Sequence, residues 1–312
     1  TVEALAAIDP LAIAGLTAKN IIGLTNAQIT ALTDEQAGAL TATQAKMMSA
    51  TQITNLEPAD ILALQPATLA ALTPVAFEKL NPDAFASMSP EQIAKITTAQ
   101  IAKITNSQLN KIGADQAFGL NAAQLAKLTS DQATQLTETA ISNLDPKAVV
   151  KLNITNFDAK DISALSDEAI PYLTPLQIGG LSVDRLTGLT ASQIEAMKTT
   201  TFAGLVTSTT ALTSGAALPT TADKLNALTT VVQSITPAQI NALGTIKMEY
   251  LNQTNAAKLN SDVTDWLYSK GYTLMTGGSA VSGIETSNTV VAGTGTTKIV
   301  AGKSSVTITG ST

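Results

Sequence analysis

An eight-residue period governs this chain and leaves few folds open to it. Apolar residues recur at 24, 32, 40, 48, 56, 64, 72, 80, 88, 96, 104, 112, 120, 128, 136, 144 and 152. A second apolar residue follows five positions later in each unit, as in Ile53, Ile61, Leu69, Phe77, Phe85, Ile93, Ile101 and Leu109. The units are readable from Ile8 to Leu152 and again from Leu165 to Leu205. One continuous helix cannot use this spacing. At ~100° per residue, eight residues overshoot two turns by ~80°, so the apolar stripe would spiral around the axis.

The polar positions say where each helix starts. Numbering a unit from its first apolar residue, position 2 is usually Thr, Ser, Asn or Asp, the preferred N-caps. Position 5 is Gln at 28, 36, 44, 52, 92, 100, 108, 116, 124, 132, 177, 193 and 239. Thr-x-x-Gln is a capping box, and the apolar residues at positions 1 and 6 form the hydrophobic staple around it. Nine of the eleven prolines (10, 58, 66, 74, 82, 90, 146, 175 and 237) fall at position 3. That is the first helical residue, where proline forfeits no hydrogen bond. Lys79, Lys95, Lys103, Lys111, Lys127 and Lys151 take position 8, where a cation complements the helix C-terminus.

Each unit therefore encodes a helix of about one and a half turns followed at once by a new cap. Such a helix is unstable alone and must stack on its neighbours. The predicted fold is mainly α: a solenoid, or superhelix, of very short helices with a small C-terminal β segment. Residues 1–205 form the octad solenoid, with an irregular joint near 153–164, where the step from Leu152 to Leu165 is thirteen residues and the five extra ones are expected to form a bulge or kink. Residues 206–276 hold a Thr/Ser/Gly loop, a longer helix over 222–234 and the last octads. Trp266, Tyr268 and Tyr272 are expected to cap the open end of the array, or to form a flat platform for a glycan. Residues 277–312 read as short strands ending in glycine, with Val290, Val291, Ile299, Val300, Val306 and Ile308 as candidate assembly strands. So few short strands are marginal alone, and their open edges invite pairing with another chain.

Composition narrows the chemistry. There is no cysteine and no histidine, which removes disulfides and thiolate or imidazole chemistry. A net charge of −6 disfavours nucleic acid as a partner. No apolar run approaches the ~20 residues of a membrane span. Asp34, Glu35, Asp83, Glu91, Asp115 and Asp131 lie at positions 3 and 4, where they complement helix N-termini rather than converge on a pocket. We expect no catalytic residues, no metal, no cofactor and no enzyme. A chain opening on Thr1 with no visible targeting signal reads as a processed product or a fragment.

Units such as Met88-Ser89-Pro90-Glu91-Gln92-Ile93-Ala94-Lys95 and Leu189-Thr190-Ala191-Ser192-Gln193-Ile194-Glu195-Ala196 resemble the Leu-Thr-x-x-Gln-Ile arrays of large secreted bacterial surface proteins. These are adhesin-like and surface-layer-like chains in which helical repeats precede β-strand repeats. A second similarity is to the mesothelin-type repeats of animal cell surfaces, from which the regular spacing and the absence of cysteine depart. The first resemblance implies a bacterial, extracellular or cell-surface structural protein: a filament, sheath or surface-layer subunit, or an adhesin stalk, that self-associates into polymers. The alternative is a surface module that binds a glycan or lipopolysaccharide.

Overall fold

A computed structural model describes residues 1–206, 224, 227, 228, 230–242, 259–269, 289–292 and 307–310. From Val2 to Phe202 the chain is a succession of α-helices of four to six residues, interrupted by the 3-10 turns Val149–Lys151 and Ile170–Tyr172. The expected pattern of many short helices packing in a repeating order holds, with a helix restarting in most of the described units.

The cap explains the restart. In Thr98–Ile101, Thr97 sits at φ −73°, ψ 154°, extended rather than helical. Its hydroxyl accepts the N–H of Gln100 at 3.2 Å, and its own N–H donates to Gln100 Oε1 at 2.8 Å. The preceding helix Pro90–Lys95 stops because Ile96 is also extended, at φ −54°, ψ 130°. Two extended residues between helices turn the chain, and the staple residues on either side of the bend are buried. At Ile170–Tyr172 the α-form is blocked by Pro171, whose ring would strike the carbonyl four residues back.

Contacts divide the chain into two compact units, Thr1–Phe157 with Ala164–Ala169, and Asp158–Ser163 with Ile170–Thr312. Within the first, each helix packs on the one three octads away: Asp34–Gly38 on Pro58–Ala63, Ala42–Met47 on Pro66–Ala71, Pro90–Lys95 on Ala114–Gly119. The core is a column of aliphatic side chains from positions 1 and 6, joined by Phe77 and Phe85, whose rings meet edge to face at 6.0 Å.

The joint differs from the expected bulge. Phe157 lies five residues after Leu152 and eight before Leu165. It thus takes position 6 of one unit and position 1 of the next, and it is fully buried. The step of thirteen is one shortened unit of five followed by a complete octad, not an octad with five residues inserted. The complete one is capped by two carboxylates: Asp161 N–H donates to Asp158 Oδ1 at 2.9 Å, and Asp158 N–H to Asp161 Oδ2 at 3.0 Å. Ile154 fills the space inside the short unit.

Of the longer helix expected over 222–234, the described residues show Lys224 and Ala227 as helical and Val232–Ser234 as a 3-10 turn. The other positions of that range fall partly outside the described residues.

Candidate functional site: an internal glutamine ladder and the outer surface

The feature that repeats most faithfully lies between turns. Each position-5 glutamine that closes a capping box with its Oε1 still has its amide N–H groups to place. In the first unit Gln36 Nε2 donates to the carbonyls of Leu5 at 2.9 Å and Ile8 at 2.8 Å, 31 and 28 residues back. The same two offsets recur. Gln44 reaches Ile13 and Leu16, Gln52 reaches Ile21 and Leu24, and Gln92 reaches Ile61 and Leu64. Gln100 reaches Leu69 and Leu72, Gln108 reaches Phe77 and Leu80, and Gln124 reaches Ile93 and Ile96.

The acceptors are the carbonyls of positions 6 and 1, at the end of a helix, where intrahelical partners run out. One amide therefore satisfies an orphan donor at its own helix start, meets the position-1 carbonyl on the turn before, and adds a second donor to the position-6 carbonyl, which in most units already accepts the N–H of position 1. Gln100 and Gln108 are completely buried, and every polar atom of such a side chain needs a partner. Glutamate could close the box but has no donor for the carbonyls. That is the physical reason for glutamine here. Periodicity pointed to the capping box but not to this second bond; the preference for Gln over Glu was the available signal.

The second unit uses the same device. Gln193 Nε2 donates to the carbonyl of Ile162 at 3.0 Å, 31 residues back. Gln239 donates to Ile194 and Met197, 45 and 42 residues back, at 2.7 and 2.8 Å. Both offsets are fourteen longer than the regular ones, yet the acceptors are still positions 6 and 1. The chain between Met197 and Gln239 therefore holds fourteen more residues than the regular spacing, and the glutamine still grips the same two positions. Lys224, buried, donates its ammonium to the carbonyl of Gly179, and burial lowers its pKa.

Turns also approach closely at position 8. A Cβ on Gly119 would lie 2.6 Å from the Pro90 carbonyl oxygen, and one on Gly204 2.2 Å from that of Pro175. Glycine is required there by contact, not by backbone angle.

The outer surface is polar with single apolar residues. Leu11, Phe118 and Leu176 are the most exposed large ones. Lys111 meets Asp83 at 2.8 Å across neighbouring turns, and Lys198 lies 5.6 Å from the centre of the Tyr172 ring. Glu35 and Glu91 are held below the usual carboxylate range by the backbone N–H each accepts and by the cap hydroxyls of Thr33 and Ser89. Among the described residues no three carboxylates come together as a metal site, and no helix is long and apolar enough to cross a membrane.

Trp266 and Tyr268 lie on the helix Ser261–Ser269, which packs on Pro237–Ala242; the Trp266 side chain is half-buried. Tyr272 lies outside the described residues. Of the candidate strand residues, Val290 and Val291 fall in Thr289–Ala292 and Ile308 in Thr307–Gly310. These two segments pair in parallel with Val290 opposite Ile308. Ile299, Val300 and Val306 lie outside the described residues.

No family model and no curated protein matches the chain.

Proposed function

We propose that the chain is a structural protein of the bacterial cell exterior: a subunit of a filament, sheath or surface layer, or the stalk of an adhesin. The observation that carries this reading is the glutamine ladder. It uses the polar side chain that recurs most regularly to tie turn to turn, inside the molecule. A repeated internal tie makes an extensible scaffold, in which each added octad brings its own link. What remains outside is a periodic Thr/Asn/Lys surface suited to repeated lateral contact between copies.

The tail supplies the connector in this reading. Among the described residues the tail pairs two four-residue strands, and an edge that finds no partner in its own chain is satisfied by a strand from another. The partner is a second copy of the same protein, outside the cell.

Electron microscopy of the purified protein tests this. Ordered polymers are expected, and they should vanish when residues 279–312 are deleted while the helical circular dichroism remains. A monodisperse protein that forms no polymer at any concentration, and that binds glycans on an array, would replace this reading with that of a glycan- or lipopolysaccharide-binding module.

A further inference from the structure

One rung of the ladder has different chemistry. Asp60 occupies position 5 of residues 56–63, between Gln52 and Thr68 in the series. Gln52 Nε2 reaches the carbonyls of Ile21 and Leu24, and Thr68 Oγ1 donates to the carbonyl of Leu40, 28 residues back, at 2.9 Å. The same register directs Asp60 to the carbonyls of Ile29 and Leu32. Its side chain is 2% exposed. One carboxyl oxygen accepts the N–H of Glu57 at 2.8 Å, which is the local half of the glutamine's task. The other half needs a donor. An ionised carboxylate has none and presents negative charge to carbonyl oxygens, whereas a neutral carboxylic acid has one O–H.

We propose that Asp60 is a proton-operated latch between neighbouring turns of the first unit. Protonated, it donates to the turn before, as glutamine does elsewhere in the ladder. Ionised, it loses that bond and the turns separate locally.

The surroundings favour the neutral form. The helix Asp34–Gly38 packed on one side brings Asp34 and Glu35, and the cap residue is Glu57. The helix Pro82–Ala86 on the other side brings Asp83, whose charge is met by Lys111 at 2.8 Å. The flanking helices Ala50–Thr54 and Pro66–Ala71 carry no charge. No cation among these groups balances Asp60. Burial pushes its carboxyl up to about 6; the Glu57 N–H opposes the rise, and the charges of Asp34 and Glu57 add to it.

The test compares the full chain with Asp60→Asn, whose amide donates at every pH, by thermal melting from pH 4 to pH 8. The folded carboxyl holds its proton more tightly than the unfolded one, so the wild type loses stability relative to the variant as pH rises from about 4 to about 6. Above that the gap is constant, on the order of 5 °C in favour of Asp60→Asn. Coincident curves across the range, or a variant that melts below the wild type at neutral pH, overturn the proposal. A second measurement needs no variant: carbon NMR of the Asp60 carboxyl, with amide exchange in Asp34–Gly38 and Pro58–Ala63. A midpoint near 6 with exchange quickening through it supports the latch. A midpoint in the ordinary carboxylate range, or exchange that ignores it, overturns it.

Discussion

Residues 88–135 and residues 56–87 are built on one octad plan and held to the turn before by different means. In the first stretch every unit carries a position-5 glutamine, and each donates to the turn before. In the second stretch the same position is Asp60, Thr68, Ala76 and Ala84. Of these four only Thr68 makes an observed link to the turn before, and Ser87 at position 8 adds one to the Pro58 carbonyl at 2.7 Å. Proline compensates: all four of these units have it at the first helical residue (Pro58, Pro66, Pro74 and Pro82), which restricts the unfolded chain where the capping amide is missing. Two of them also carry phenylalanine at position 6, Phe77 and Phe85, where the glutamine-bearing units have Ile, Leu or Ala. The lesson is that an octad can be secured by a directional bond or by apolar bulk with a stiffened start, and the two are interchangeable within one molecule.

Breaking each device in turn measures the difference. The largest loss is expected from Phe85→Ala, about 3–5 kcal/mol in urea unfolding, because a fully buried ring leaves a cavity beside Phe77. A loss under ~1 kcal/mol would show that bulk is not what holds this stretch. Gln100→Glu comes next, at about 3 kcal/mol at pH 7, since it sets an unpaired charge against two carbonyls in a buried site. Its folded pKa must then be raised, so the loss should shrink as pH falls below that value toward 4; a loss independent of pH would refute the donor argument. Gln100→Leu removes the two inter-turn bonds and the acceptor for the Thr97 N–H without adding charge and should cost about 2 kcal/mol, whereas Ala84→Leu tests only packing and has no bond to lose. Thr97→Ala, which deletes the cap hydroxyl alone, should cost about 1 kcal/mol. The smallest effect is Pro74→Ala, about 0.5 kcal/mol, seen as a small downward shift of the urea midpoint; the same shift from Thr73→Ala added to it would show that hydroxyl and proline act independently.

How much of this was legible in sequence follows from the reach of each interaction. Caps, staples and first-turn prolines act over three to five residues, so Thr97, Gln100 and Pro90 declare their roles locally. The link from Gln100 to Leu69 spans 31 residues, and an eight-residue period does not state how many units make a turn. That number is set by the bend at the two extended residues, which is a matter of backbone angle rather than pattern. The layout of the joint is hidden for a related reason. Counting from leucine to leucine hides Phe157, which serves two units at once, whereas following position 6 through Val149, Phe157 and Ile162 reveals it. The aromatic trio was only partly placed, because Trp266 is half-buried on its helix while Tyr272 lies outside the described residues.

The 31-residue span has a bearing on how the chain acquires its structure. No rung can close until close to four consecutive octads are present, so a peptide of two or three units has every local signal for helix and no means of keeping it. The first closure confines a long loop for a single amide, and every later one extends an edge that already exists. Ordering should thus begin at a nucleus of one complete turn and then spread outward quickly, like a zip fastener whose first teeth are the hardest to engage.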